Sequence, residues 1–406
     1  MNNEKIKKSN EPIFVHSLFR SGSTYVFKKF REKDELYTSY QEPVHEISYL
    51  ALSDFEILNE TVGNKENSVL RHPLLKKSYF AELYDIAGDT LHHLNKEDIY
   101  TNYFDNNVNS LCVYLQSIIR NSEHRCVIQE CRLTSRISAI KKNIAGMHLY
   151  LWRNPWDQWW SYKVTDYFDA ANIWILNANN PPNLIERIVK KLNIPKSNEK
   201  DLSKALNFYK NKKLNAEDSY FVFYTIWLLS LIEASEQADY LFNIDKLSIS
   251  DDYKKLVSNE LQNRGVQGLD FSDCEIPQAH FANKDIEFFT AIESSVHSLF
   301  LKVGYENELL EKVLSLRYEY SPHKLRQDEN LSTNQILKDS ERARELTRNY
   351  MSDLSVLHQK FESEDNNNKY LILQAEQAMH QAIVKARKLE AKVSEAEAKA
   401  SEAEAK

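Results

Sequence analysis

Glycine is scarce in this chain, seven residues in 406. So few glycines are expected where the backbone needs positive φ or where a neighbour leaves no room for a Cβ, and Gly22 is marked out on that ground. Cysteine is scarcer still. Cys112, Cys126, Cys131 and Cys274 form no CxxC and none of the paired spacings that build a zinc site or a disulfide framework, so a reducing cytoplasm is the expected setting. The 12 histidines are scattered. The His-Glu dipeptide His45-Glu46 lacks the second His of a zinc hydrolase, and no metal is expected. A basic surplus is also missing: 52 Lys plus Arg against 59 Asp plus Glu give a net charge of -7. That balance argues against binding a nucleic-acid backbone without sequence preference, a local basic pocket apart. No stretch approaches the ~18 to 20 apolar residues of a spanning helix, and the polar Met1 to Asn10 is not followed by the apolar h-region of a signal peptide. Neither membrane insertion nor secretion is expected.

What is present is core material, with 42% hydrophobic and 27% charged residues, enough for a large globular domain carrying an extension. Ile13 to Phe19 is an apolar run of strand length, followed by the turn-like RSGST and a helical face of Val26, Phe27 and Phe30. Glu35 to Gln41, Cys126 to Leu133, Met147 to Trp152 and YLFNIDKL at 240 to 247 read as further strands. Helical segments separate them, including Thr134 to Asn143 and one running from Pro155 through WDQWWSYKVTDYF. Strands alternating with helices predict an α/β fold with a parallel sheet flanked by helices. Residues 1–11 are expected to be disordered and 12–320 to form the main domain. Residues 321–368 read as linker and helix, and 369–406 as a heptad-repeat helix or coiled coil. There Ala375, Ala382, Leu389, Ala396 and Ala403 recur every seven residues, a seam that suits a homo-oligomer or a lone helix alike.

Two segments carry chemistry. In Arg20-Ser21-Gly22-Ser23-Thr24, between a strand and a helix, successive backbone N–H groups at the helix N-terminus form an anion site that the helix dipole reinforces. The pentapeptide alone is equally an ordinary capped turn. It is not the nucleotide-triphosphate loop, which needs a second glycine and a lysine. In LYLWRNPWDQWWSYK, Arg153 leaves a strand and Ser161 follows eight residues later on a helix, so both converge on a phosphate at the sheet's carboxyl edge. Two anion sites on one edge suggest a bisphosphorylated nucleotide.

At this point the chain resembles the sulfotransferases. FVHSLFRSGSTYVFKKF is similar to their 5′-phosphosulfate loop, and LWRNPWDQWWSY to their 3′-phosphate motif. The Arg-led loop and the Glu42-Pro43 beyond it are closer to the carbohydrate-acting branch than to the cytosolic enzymes of phenols and steroids. The likeness spans residues 12–310, its motifs a small part of that. It implies a P-loop-type fold, PAPS (3′-phosphoadenosine 5′-phosphosulfate) as donor, no metal, and a hydroxyl or amine acceptor, most simply a carbohydrate. It also implies that Arg20, Ser21, Gly22, Ser23 and Thr24 bind the 5′-phosphosulfate and that Arg153 and Ser161 bind the 3′-phosphate. QAHFANKD stands near residue 280 in place of an Arg-Lys-Gly loop, a departure that leaves the adenosine contacts open.

The catalytic pair expected is Arg20, offsetting charge on the departing phosphate, and Glu42 as general base, its pKa raised toward neutrality by partial burial. His45, Glu46 and Glu130 are substitutes for the base, and a salt-bridged or capping role for Glu42 is the plain alternative. Trp152, Trp156, Trp159 and Trp160 fill space between helix and sheet or expose a subset to a glycan. The acceptor pocket is expected from variable segments such as 170–220. Two competing readings are a P-loop kinase using ATP and Mg²⁺, and a coiled-coil scaffold with an inactive nucleotide pocket.

Overall fold

A strand covered on both faces reads as a continuous apolar run, and in the first strand, β1 (Ile13–Ser17), every residue is buried. The computed structural model describes residues 11–60, 75–163, 165–277, 279, 281 and 283–319. After β1 come α1 (Ser23–Arg31), β2 (Tyr37–Gln41), α2 (Glu46–Leu50), α3 (Asn109–Arg120), β3 (Arg125–Glu130), α4 (Ile137–Asn143) and β4 (Met147–Trp152). The chain continues through α5 (Pro155–Tyr162), α6 (Tyr167–Leu176), α7 (Asn183–Lys191), α8 (Leu202–Lys210), α9 (Ala216–Gln237) and β5 (Tyr240–Asn243). It closes with α10 (Ile244–Ile249), α11 (Asp251–Asn263), α12 (Asn283–Lys302) and α13 (Asn307–Glu319), short helical turns apart.

The five strands form one sheet in the order β2-β3-β1-β4-β5, and every neighbouring pair is parallel. The α/β architecture with a helix-flanked parallel sheet is therefore as expected. Because side chains alternate across a strand, Ile13, Val15, Val127, Leu149, Leu151 and Phe242 share one face, packed with Val26 and Phe30 of α1 and with Val257 and Leu261 of α11. Phe14, Ile128, Tyr150 and Trp152 share the other, packed with α3, α4 and α9. Helix α9, apolar on nearly every side, is buried over most of the stretch from Ser219 to Ala234. Among the described residues no helix is long and apolar enough to cross a membrane.

Element limits differ from expectation in several places: β2 starts at Tyr37 rather than Glu35, β3 ends at Glu130 rather than Leu133, and α4 starts at Ile137 rather than Thr134. The first strand stops at Ser17, because Leu18 and Phe19 are buried as loop residues. The last strand stops at Asn243, whose Oδ1 accepts the Lys246 N–H at 2.8 Å and so starts α10. The helix after Pro155 ends at Tyr162 rather than running through Phe168. Beyond it Thr165 Oγ1 accepts the Tyr167 N–H, a local bond that competes with helix continuation. The readings of 1–10 as disordered, of 321–368 as linker and of 369–406 as coiled coil lie outside the described residues.

The connection leaving β1 turns toward β2, whereas that leaving β4 turns toward β5. The two strands are neighbours, so a crevice opens between their carboxyl ends, the place where open α/β sheets bind ligands. Gly22 sits at its floor with φ +83°, and a Cβ there would stand 2.9 Å from Ile244 Cγ1. Gly265 has the same φ with nothing within 4 Å. Gly22→Ala should therefore cost about 1–3 kcal/mol for the left-handed backbone plus the clash, and Gly265→Ala the first cost only. Urea denaturation of both variants checks this, with equal losses as the contrary result.

Candidate functional site

The loop after β1 is built to present its backbone. Arg20 is held at φ +64° and Gly22 at φ +83°, which turns the chain sharply into α1. Ser21 Oγ donates to the Leu18 carbonyl at 2.5 Å. Gln158 of α5, fully buried, donates from Nε2 to the Phe19 carbonyl at 2.7 Å and to Ser21 Oγ at 3.0 Å, clamping the turn. Helix α1 opens at Ser23 with no side-chain cap and no acid in its first turn. Its first N–H groups have no intrahelical acceptor, and its dipole is unopposed by a local carboxylate.

The second segment meets the first here. Asn154 Oδ1 accepts the Trp156 N–H at 3.1 Å and Pro155 takes the first helical position, so α5 starts directly beyond β4. Arg153, 6% exposed, points its Nη1 at the Arg20 carbonyl at 3.4 Å. Arg20 Nε in turn donates to Ser161 Oγ at 2.9 Å. Arg20, Arg153 and Ser161 thus lie together, with Arg20 as the link between the other two. Asp245, just past β5, anchors Arg153: Oδ1 lies 3.3 Å from its Nε, and Oδ2 accepts the Asn154 N–H at 2.7 Å. Trp227 Nε1 donates to the Arg153 carbonyl at 3.1 Å. From above, the Pro277 carbonyl accepts Arg153 Nη2, and Asp157 Oδ1 accepts the Ala279 N–H at 2.6 Å. The segment in the place of the Arg-Lys-Gly loop is tied to this helix through backbone groups.

The carboxyl ends of β2 and β3 carry a different cluster. Arg132, completely buried, reaches Glu42 Oε2 from Nη1 at 2.7 Å and Glu46 Oε2 from Nη2 at 2.9 Å, with Glu130 Oε1 3.5 Å from Nη1. Tyr167 OH accepts from Nη2 at 2.7 Å. The guanidinium lies 5.0 Å from the centroid of Phe19, the residue before Arg20. Glu42, at φ +40°, also accepts from Tyr79 OH at 2.8 Å.

This wiring reverses one expectation. The Glu42 carboxyl is not raised: burial works to lift it, but Arg132, with His45 and the Tyr79 hydroxyl, outweighs burial and holds it below the ordinary carboxylate range. Glu46 is held down to about 2, again against burial and chiefly by Arg132. Glu130 is the one pushed up, to about 7, by burial, with Glu42 adding to the rise. Three carboxylates around one guanidinium leave an excess of negative charge, and the acid most distant from Arg132 retains its proton longest. His45 is lowered by burial and by Arg132, and its Nδ1 accepts the Ile47 N–H at 3.0 Å, which places the proton of the neutral ring on Nε2.

Of the four clustered tryptophans, Trp152, Trp156 and Trp159 are buried as core, and Trp160 is 45% exposed. All four cysteines are buried and unpaired. Among the described residues no group of three His, Cys, Asp or Glu is placed to hold a metal ion. Sequence reasoning missed Arg132, Gln158 and Asp245 as site residues. A signal existed for Arg132 and Asp245, each a charged residue within two positions of the carboxyl end of a strand; Gln158 carried none. No family model, curated protein or solved structure matches the chain.

The pH dependence follows with opposite signs. Glu42 and Glu46, lowered on folding, contribute stability above the unfolded carboxyl pKa of ~4.3 that is lost as pH falls through their folded values. Glu130, raised to about 7, contributes stability below ~4.3 that is lost as pH rises through 7. Urea denaturation between pH 5 and 8 should show stability falling with pH more steeply in the parent protein than in Glu130→Gln. Parallel profiles would contradict the assignment.

Proposed function

We propose that this protein is a sulfotransferase of P-loop type that moves a sulfuryl group from PAPS to a hydroxyl or amine of an acceptor, most simply a carbohydrate. One observation carries the reading. The two segments that resemble the donor-binding motifs, 133 residues apart between Arg20 and Arg153, meet at the β1/β4 crevice, with Arg153 on the Arg20 carbonyl and Arg20 on Ser161. A nucleotide with phosphates at both ends needs such a pair of sites. In this reading the N–H groups of Ser21, Gly22, Ser23 and Thr24 and the Arg20 guanidinium face the 5′-phosphosulfate, while Arg153 and Ser161 face the 3′-phosphate. A sulfuryl group in flight carries less charge than a phosphoryl group, so amides and guanidinium suffice without a metal. Buried, unpaired cysteines suit a reducing compartment such as the cytoplasm.

The acceptor oxygen attacks sulfur and the S–O bond to the 5′-phosphate breaks. The acceptor proton passes to a base, leaving 3′-phosphoadenosine 5′-phosphate. Glu42 fits best among the three carboxylates. Its side chain retains 11% exposure against 7% for Glu46 and 1% for Glu130, while His45, at 16%, has its Nδ1 taken by the Ile47 N–H. Glu42 has one hydrogen-bond donor on each oxygen, Tyr79 and Arg132, whereas Glu130 takes the backbone N–H groups of Val44, Cys131 and Arg132 and Glu46 takes Tyr100, Tyr167 and Arg132. With its pKa lowered, Glu42 is fully ionised at neutral pH, ready to accept a proton, though a weaker base than one tuned near 7.

Calorimetry with 3′-phosphoadenosine 5′-phosphate tests the reading. Binding should weaken by about 10-fold or more in Arg153→Ala, since a hydrogen bond to a charged group is worth ~1.5–3 kcal/mol. Preference for ATP with Mg²⁺ would favour a kinase instead, and silence toward both nucleotides a scaffold. With labelled PAPS and an acceptor panel, Glu42→Gln should lower kcat by ~10²- to 10⁴-fold while leaving nucleotide affinity in place. Unchanged turnover in a folded variant removes Glu42 from the chemistry.

A further inference from the structure

Beside the site lies a cavity of about 290 Å³ lined by Lys163, Lys210, Lys212 and Lys213 with Asp166 and Asp169, and by Tyr209, Leu214 and the small Ala170 and Ala216. That is near the small end of ligand sites, ~300–1,000 Å³. Its position follows from two chain connections. Lys163 stands two residues beyond Ser161, the partner of Arg20. Asp169 follows Phe168, whose ring lies 5.6 Å from the Arg20 guanidinium. The cavity therefore borders the crevice, in the part of the chain where an acceptor pocket was expected.

Its charge is out of keeping with a protein of net charge -7. Both carboxylates are already matched: Asp169 Oδ2 takes Lys163 Nζ at 2.8 Å, and Asp166 Oδ2 takes Lys213 Nζ at 2.5 Å. Lys163 is further fixed by Ser219 Oγ at 2.6 Å and lies 4.6 Å from the Trp159 ring centroid. Lys210 and Lys212 have no carboxylate within ion-pair distance among the described residues, so the lining carries four lysines against two aspartates. Two ammonium groups at one small concavity, with a tyrosine ring as apolar floor, suit a singly charged oxyanion on a ring-shaped ligand. Lysine is a point charge with three rotatable donors and needs no bidentate partner.

Resting on the sulfuryl-transfer reading, we infer that this cavity is an acceptor subsite for an acidic saccharide, with Lys210 and Lys212 holding a carboxylate or sulfate on a sugar next to the one that is modified. The two lysines belong to neither donor motif, so they would set which acceptor is chosen and leave nucleotide binding alone.

The test is fluorescence anisotropy of the full chain with labelled hexagalacturonate, with a sulfated hexasaccharide as second acidic probe and maltohexaose as the neutral comparator. At least one acidic probe should bind about 10-fold more tightly than maltohexaose at low salt, the preference shrinking as salt screens it. The double variant Lys210→Ser, Lys212→Ser should lose that preference and keep its affinity for 3′-phosphoadenosine 5′-phosphate. Equal binding of neutral and acidic probes overturns the inference, as does an unaltered preference in the variant. Displacement by polyadenylate as effective as by unlabelled acidic saccharide also overturns it, marking a general polyanion surface. If the parent protein binds acidic saccharide through these lysines but ignores the adenosine bisphosphate, the sulfuryl-transfer reading fails and the saccharide site stands by itself.

Discussion

Five strands running the same way deliver five carboxyl ends to one edge, and everything chemical in this molecule follows from that direction. A parallel sheet must return the chain through crossovers, so the loops at this edge are the ones that open into helices. Helix N-termini then converge there with their positive ends. Positive field is therefore already concentrated at the edge before any side chain is counted. Two buried arginines add to it, and neither stands alone: Arg153 is met by Asp245 and Arg132 by Glu42, Glu46 and Glu130. Burial of a guanidinium is costly unless it is paired or hydrogen-bonded.

The two arginines are not matched equally, and the inequality divides the edge. Around Arg153 lie Asp245, Arg20 and an uncapped helix start, with Asp157 of α5 turned to the Ala279 N–H. Around Arg132 three carboxylates face one guanidinium, which leaves the β2/β3 side anionic. Phe19 and Phe168 lie between, Phe19 against Arg132 and Phe168 against Arg20. In the proposed sulfuryl transfer the anionic donor would meet the β1/β4 half of the edge and the base would stand in the β2/β3 half.

How much of this could be read beforehand varied with the kind of signal. The fourth strand was legible to the residue, because its apolar run is bounded by Gly146 and Arg153. The first was overread because Leu18 and Phe19 are as apolar as a strand, yet their burial comes from loop packing, Phe19 lying against Phe168 and Tyr167. The positions of the loop 20–24 and of Arg153 were legible because a turn between strand and helix, and an arginine at a strand end, are local patterns. The state of Glu42 was not. Its partner Arg132 lies 90 positions away, and burial alone would have raised the pKa that this guanidinium lowers. Gln158 was invisible for a related reason: a lone glutamine on a tryptophan-rich helix has no pattern, and its clamp on the loop exists only once the helix is docked.

The carbonyl of Pro277 on Arg153 gives the resting protein a built-in competitor. A small inorganic anion reaching this guanidinium must displace an intramolecular acceptor that is always present at high effective concentration, and it gains only one foothold in exchange. A ligand spanning both motifs recovers that loss at its other end. In the proposed reading the contact would act as a threshold filter, favouring a ligand long enough to reach both motifs over a small anion that reaches one.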